Sequence, residues 1–507
     1  MKSHLNYIIL YILLFFCNSK MFAQKTNIYT EPYRPQIHFS PQAHWMNDPN
    51  GLVFYQNQYH LFYQYYPDST VWGPMHWGHA VSSDMIQWKH LPIALYPDRL
   101  GYIFSGSAVV DSGNSTGFGK NGNVPLIAIF TSHDPKGEKA GRLDFQNQSL
   151  AYSLDAGLTW RKYEHNPVLK NPGIKDFRDP KVSWYAPGKK WIMTLATHDR
   201  ITFYSSKNLI KWTKESEFGK TIGAHGGVWE CPDLFPLFDH DKKIWVLLVS
   251  INPGGPNGGS ATQYFTGEFD GHVFTPYQTD TRWIDYGPDD YAGVTWSNTG
   301  NRKIFLGWMS NWLYGTTVPT IKWRSAMTVP RELSLLNKNG SYYVISQPVK
   351  ELNSIDEKGM KFYDLITNDF DITQRTGLME GPMKIRLSID RINDYSIELY
   401  NKSNEKVVIG YEKSANRFFI DRNHSGNVNF NKTFPGRFYA PRISDKSSTN
   451  AEIIIDKASV EFFADDGSTV MTAIFFPNSP FTNIEFVSPQ KVDLKLLQCI
   501  KMRSVWK

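Results

Sequence analysis

From about residue 50 onward the chain is written in short apolar segments rich in aromatic and β-branched residues, and Gly, Pro, Asn and Asp divide them. Gly51–Tyr55, Tyr59–Tyr65, Pro125–Phe130, Lys190–Ala196 and Ile244–Ser250 are examples. Segments of this length and composition between turn formers read as strands, and long stretches with helical periodicity do not occur. An all-β chain of 507 residues must then bury its strands in stacked or closed sheets.

A recurring phrase narrows the choice. Ser83-Asp84…Trp88, Ser153…Asp155…Trp160 and Ser206…Asn208…Trp212 each place a serine before an Asp or Asn, with a tryptophan four or five residues after that Asp or Asn. A strand–turn–strand unit repeated with irregular insertions suits the blades of a β-propeller, and the repeat alone admits roughly four to seven of them. The texture changes over residues 336–365. Beyond it, Met383–Ile389, Tyr395–Tyr400, Ala451–Asp456 and Val470–Phe476 alternate with period two, the pattern of a two-sheet sandwich. The expected organisation is a propeller over residues 33–345 and a β-sandwich over 355–507.

Residues 1–23 differ in kind. Lys2 and His4 lead into the apolar run Tyr7–Phe16, and Phe22-Ala23-Gln24 offers a cleavage point. The run is too short for a comfortable membrane span and reads as a signal peptide, so the mature protein is expected to be secreted or periplasmic without a transmembrane segment. Cys17 raises the alternative of an outer-surface lipoprotein. A lipidated cysteine follows a small residue, however, and Phe16 stands there instead. Cys231 and Cys499, far apart, offer no disulfide framework, and neither C-x-x-C nor H-E-x-x-H occurs. The formal charge of +6 is spread thinly, with no basic patch or reader motif, so nucleic acid is not an expected partner. Aromatics make up 15% of residues, which suits both sheet packing and stacking on sugar rings.

Three phrases carry acids among aromatic or apolar residues with a proline close by: Trp45-Met-Asn-Asp48-Pro-Asn-Gly51, Phe177-Arg-Asp179-Pro and Trp229-Glu230-Cys-Pro-Asp. Pro49-Asn50-Gly51 reads as a turn. Glu230, between Trp229 and Cys231, is either a partly desolvated proton donor or a buried carboxylate in a salt bridge. Together the phrases resemble the signatures of glycoside hydrolase family 32, the invertases, inulinases and levanases, with bacterial levanases nearest. Phe62-Tyr-Gln64, Trp72-Gly-Pro-Met-His-Trp-Gly-His79, Phe104-Ser-Gly-Ser107 and Trp308-Met-Ser-Asn-Trp312 extend the likeness, which runs from about residue 33 to the C-terminus.

The resemblance implies a five-bladed β-propeller followed by a C-terminal β-sandwich. It also implies retaining hydrolysis of fructosyl bonds without a metal or organic cofactor. By that likeness Asp48 is the nucleophile, Glu230 the acid/base, and Asp179 the acid that holds fructose hydroxyls. Asn47, Gln64, Trp72, Phe104, Ser105, Arg178 and Trp312 match residues lining the fructose site, while Asp285 and Tyr286 rank lower. Trp45 is as much a packing residue as a contact. The expected partner is a fructan or fructo-oligosaccharide. Asn252–Ser260, a Gly-rich loop expected to be flexible, favours levan or inulin over sucrose, with exo attack. Endo attack and fructosyl transfer share the same acids. A non-catalytic binding protein would have lost Asp48 or Glu230, and both are present. The sandwich is expected to pack on the propeller, with carbohydrate binding as the alternative.

Overall fold

The computed structural model describes residues 29–120, 122–377 and 381–506. The leader read over residues 1–23, Cys17 included, lies outside the described residues. Five antiparallel sheets stand around one axis, and a sandwich follows them. The innermost strand of each blade is His44–Tyr55, Tyr102–Val110, Phe177–Tyr185, Val228–Asp239 and Tyr291–Thr295 in turn. Each inner strand touches the next, and the fifth returns to the first. The ring is sealed where Ser297 N donates to Leu52 O (2.9 Å) and Phe54 N donates to Ser297 O (3.0 Å).

The repeated phrase is the corner between the third and fourth strands of blades 1 to 3. The serine ends the third strand and its hydroxyl donates to the Asp or Asn two residues on: Ser82 to Asp84, Ser153 to Asp155, Ser206 to Asn208. That acceptor then takes backbone N–H groups of the turn, such as those of Ile86 and Gln87. The serine of the first repeat is therefore Ser82, not Ser83.

Most of the aromatic load is structural. Trp45, Trp77, Trp229, Trp296 and Trp308 are fully buried. Each removes ~200 Å² from water, about 4–5 kcal/mol at ~25 cal/mol per Å² before the entropy of ordering.

Beyond Pro348 a short 3-10 turn, Lys350–Ile355, leads into the sandwich. Two long strands, Asp356–Asp371 and Asn483–Met502, pair along their length and belong to both of its layers. The latter pairs with Tyr395–Tyr400 through residues 483–487 and with Met383–Ile389 through residues 494–501. One apolar core fills the space between the layers.

The face between propeller and sandwich is ionic as well as apolar. Arg331, fully buried, donates to Asp285 (2.9 Å), Asp290 (3.1 Å) and Glu461 (3.1 Å). His38 spans Asp456 (2.9 Å) and Glu461 (2.8 Å), and these carboxylates raise its pKa to about 9 although burial opposes them. Asp285 thus belongs to the domain interface, where it also accepts from Thr472 of the sandwich. It is not a pocket residue. Its neighbour Tyr286 packs against the sandwich core.

Candidate active site

Every inner strand breaks register near its start. The irregularities fall at Met46/Pro49, Ile103/Gly106, Arg178–Lys181, Glu230/Asp233 and Tyr291/Val294. A bulge adds a residue to one strand and re-aims the side chains beside it. Here five bulges encircle the axis, and three of them carry the acids. Pro49, Pro180 and Pro232 lie in or beside these bulges, where the ladder is interrupted and a residue without N–H is tolerated. Asp179 and Cys231 take left-handed backbone, with φ of 65° and 44°.

Pro49, Asn50 and Gly51 therefore do not form a turn. They lie inside the twelve-residue strand His44–Tyr55, between two irregularities. Turn-forming residues suit a doubly bulged strand for the same reason that they suit a turn: φ at Gly51 is +55°.

Asp48 is buried and fully engaged. Ser105 Oγ donates to Oδ2 (2.6 Å), Asn47 Nδ2 to Oδ1 (3.0 Å), and Cys231 Sγ lies 3.4 Å from Oδ2. Asn47 is itself fixed by Trp45 Nε1 (2.7 Å). Trp45, with no exposed surface, packs on Trp308 and Trp312 and is a packing residue. Asp179 accepts from Cys231 N (3.0 Å), and its own N–H donates to Thr131 Oγ1 (3.0 Å).

Glu230 is the most open of the three acids, its side chain one-fifth exposed. Arg178 Nε and Nη2 grip Oε1 at 3.1 and 3.0 Å, and Tyr291 OH donates to Oε2. Glu230 is thus salt-bridged, with part of its side chain left open. Arg178 is oriented from behind by Asp176 (2.7 Å).

Arg178 stands among three carboxylates, those of Asp176, Asp179 and Glu230. Burial, then the charge of Glu230, push the Asp48 pKa up against the pull of its three donors. Burial, with Glu230 and Asp48 and against Arg178, raises Asp179 to about 7. The surrounding acids hold Arg178 firmly protonated despite its burial. The arrangement offers an engaged carboxylate on the first blade, a partly open one on the fourth, and a third, Asp179, whose pKa lies near neutrality.

The remaining expected residues gather round. Gln64 Nε2 donates to Asn50 Oδ1 (2.7 Å) on the first blade. Phe104 stacks on His133 at 4.1 Å. Trp72 stands at the rim, 38% exposed and edge-on to Phe104, and Trp312 lies against Trp308. Tyr291, Cys231 and Asp176 were not expected at the site. The only signal for Tyr291 is positional, since it holds the bulge place on the fifth inner strand; Asp176 could have been sought as an acid two residues before Arg178.

Beneath the acids the axis is closed. Lys181 bridges Asp233 (3.0 Å) and donates to Thr295 O, while Asp233 accepts from Thr295 N (2.6 Å) and Oγ1 (2.8 Å). Ser107 Oγ donates to Pro180 O (2.9 Å) and accepts from Val182 N (2.9 Å). This buried layer joins blades 2 to 5, and on its far side lies a separate hollow of about 710 Å³ lined by Trp184, Tyr185 and Lys303.

Comparison with known proteins agrees with this geometry. Residues 38–348 match the glycosyl hydrolases family 32 N-terminal domain, and residues 348–501 match the family 32 C-terminal domain. A levanase of Bacillus subtilis (strain 168) is 45% identical over 96% of this chain and 72% of its own length. An extracellular exo-inulinase of Aspergillus awamori is 39% identical over 91% of this chain and 92% of its own. The crystal structure of exo-inulinase from Aspergillus awamori superposes with a TM-score of 0.85 at 36% identity, covering 94% of this chain and 100% of that one. A β-fructofuranosidase from Schwanniomyces occidentalis, complexed with fructosyl-erythritol, gives 0.85 at 32% identity over 94% and 99%. On its bulged five-bladed frame, its appended sandwich and these matches, the chain belongs to glycosyl hydrolase family 32, a family of hydrolases acting on β-fructofuranosyl bonds.

Proposed function

We propose that this protein is a retaining, exo-acting β-fructofuranosidase that removes terminal fructose from fructans, levan or inulin, and takes sucrose as a smaller substrate. The coarser statement, a family 32 hydrolase of fructan and sucrose bonds, rests on the relatives just described. The exo reading rests on the closed axis. A pocket with a buried floor under its acids accepts a chain end and cannot let a chain run through.

Asp48 attacks the anomeric carbon while Glu230 gives its proton to the departing oxygen; the glycosidic bond breaks as the Asp48–fructosyl ester forms. Water then attacks the same carbon and yields a proton to Glu230, and the ester bond breaks to free Asp48 and fructose. Asp48, held from both oxygens, is oriented for attack. The more open Glu230 can reach a leaving group. Asp179 and Arg178 hold the sugar and balance charge as the anomeric carbon becomes cationic. Asn47, Gln64, Ser105 and the aromatic walls Trp72, Phe104 and Trp312 complete the fructose site. Extracellular relatives support export of the mature chain.

Timed product analysis on levan, inulin and sucrose tests this reading. Fructose is expected as the first product throughout, as its β-anomer by NMR, before mutarotation. Early oligosaccharides from levan would overturn the exo reading, and a first-formed α-anomer would overturn retention.

A further inference from the structure

We infer that the sandwich domain shapes the leaving-group side of the pocket, and that Asn257 is the positioning residue through which it does so; this rests on the proposed roles of Asp48 and Glu230. Residues 252–260 join the strands Lys242–Asn252 and Ala261–Phe269 of blade 4. They lie at the end of the blade where Glu230 pairs with Ser250. A proton donor must stand beside the leaving oxygen, so the wall that rises from the donor's own blade faces the leaving group.

This loop was expected to be flexible, but it is pinned. Asn257 Oδ1 accepts from Tyr439 N (3.1 Å), and Nδ2 donates to Tyr439 O (3.0 Å) and to Tyr286 O. Tyr439 lies in Arg437–Pro441, the outermost strand of its sandwich sheet. The Asn257 amide thus satisfies both backbone groups of one edge residue, as a neighbouring strand would.

The loop is also tied to a second segment, residues 311–314. Ser260 Oγ accepts from Trp312 N (3.1 Å), and Asn311 Oδ1 accepts from Ser260 N (3.3 Å). Gly259 has φ +72°, and a Cβ there would fall 2.3 Å from Asn311 Oδ1. The sandwich grips this second segment too. Asn431 Nδ2 donates to Leu313 O (2.8 Å), and Arg422 Nη2 donates to Tyr314 OH (2.7 Å). The loop therefore takes its position from the second domain.

The test is steady-state kinetics of Asn257→Ala on levan and inulin, with fructose as competitive inhibitor and a thermal melt alongside. The expected result is a fructan KM raised about tenfold, kcat within about twofold, and an unchanged fructose inhibition constant. That split marks a lost leaving-group wall above an intact fructose pocket. Asn431→Ala, at a half-buried position, should move KM the same way by a smaller factor, and it carries the test should Asn257→Ala fail to fold. An unchanged fructan KM in folded variants would overturn the inference. So would a fructose constant that rises in step with KM, since that places the effect in the fructose pocket. Should the wild-type protein release nothing from fructan, the functional reading fails separately, and the same comparison is made with sucrose.

Discussion

Single residues at the site are held in costly states, and their removal separates stability from activity. Asp179 has its pKa raised to about 7 by burial and by two nearby acids. Between the ordinary value of 3.8 and about 7 the folded protein binds more protons than the unfolded chain, so this group's contribution to stability falls as pH rises and is lost above about 7. Asp179→Asn, which keeps an oxygen for Cys231 N, should therefore melt higher than wild type at pH 8 and show no such gain at pH 4, while hydrolysis is lost. Scanning calorimetry at the two pH values checks this. Glu230→Ala should lower kcat on fructans by about 10²–10⁴, the range for a lost proton donor, with the fold intact by circular dichroism. Arg178→Lys keeps the charge but loses the fork that grips Glu230 and Asp176 together. Its kcat/KM should fall about tenfold or more, measured against sucrose to avoid any effect of chain length.

The bulge is the element that makes the site, and it explains what could be read from sequence and what could not. Strand segments, the blade repeat and the three acids were visible because period, turn chemistry and motif are local properties. The bulges were not, since a bulge is defined by the partner strand: Pro49-Asn50-Gly51 has turn composition, and only pairing with Phe62 and Tyr63 shows that it continues a strand. Tyr291 was missed for the same reason, its role being set by its place beside Glu230 on the neighbouring inner strand. Asp285 carried a motif-like phrase yet serves Arg331 and Thr472, which lie 46 and 187 residues away along the chain. Gly51 tests the importance of the bulge. A Cβ there would fall 2.6 Å from Phe62 and 2.8 Å from Trp77, at a φ that side chains avoid. Gly51→Ala should cost about 1–3 kcal/mol in denaturant unfolding and reduce activity further than that loss explains, because the strain is relieved beside Asp48.

At the scale of the whole molecule, two domains share buried charge. His38, with a pKa of about 9, sits between Asp456 and Glu461 of the sandwich. A raised pKa means that its stabilisation is complete below 6.5 and disappears as pH climbs through about 9. His38→Gln should flatten the fall in melting temperature over that interval, seen in melts taken from pH 6 to pH 10. The floor beneath the acids has a different consequence, one of traffic. With Lys181, Asp233 and Thr295 filling the axis beneath the acids, the proposed function has sugar enter and leave by the mouth. On the proposed retaining, exo-acting mechanism, the shortened chain must withdraw before water can reach the sugar left on Asp48, and the freed fructose must leave before another end can enter. Each cut therefore ends with the polymer let go, so fructose units should be trimmed from many chains in parallel rather than one chain being consumed from end to end.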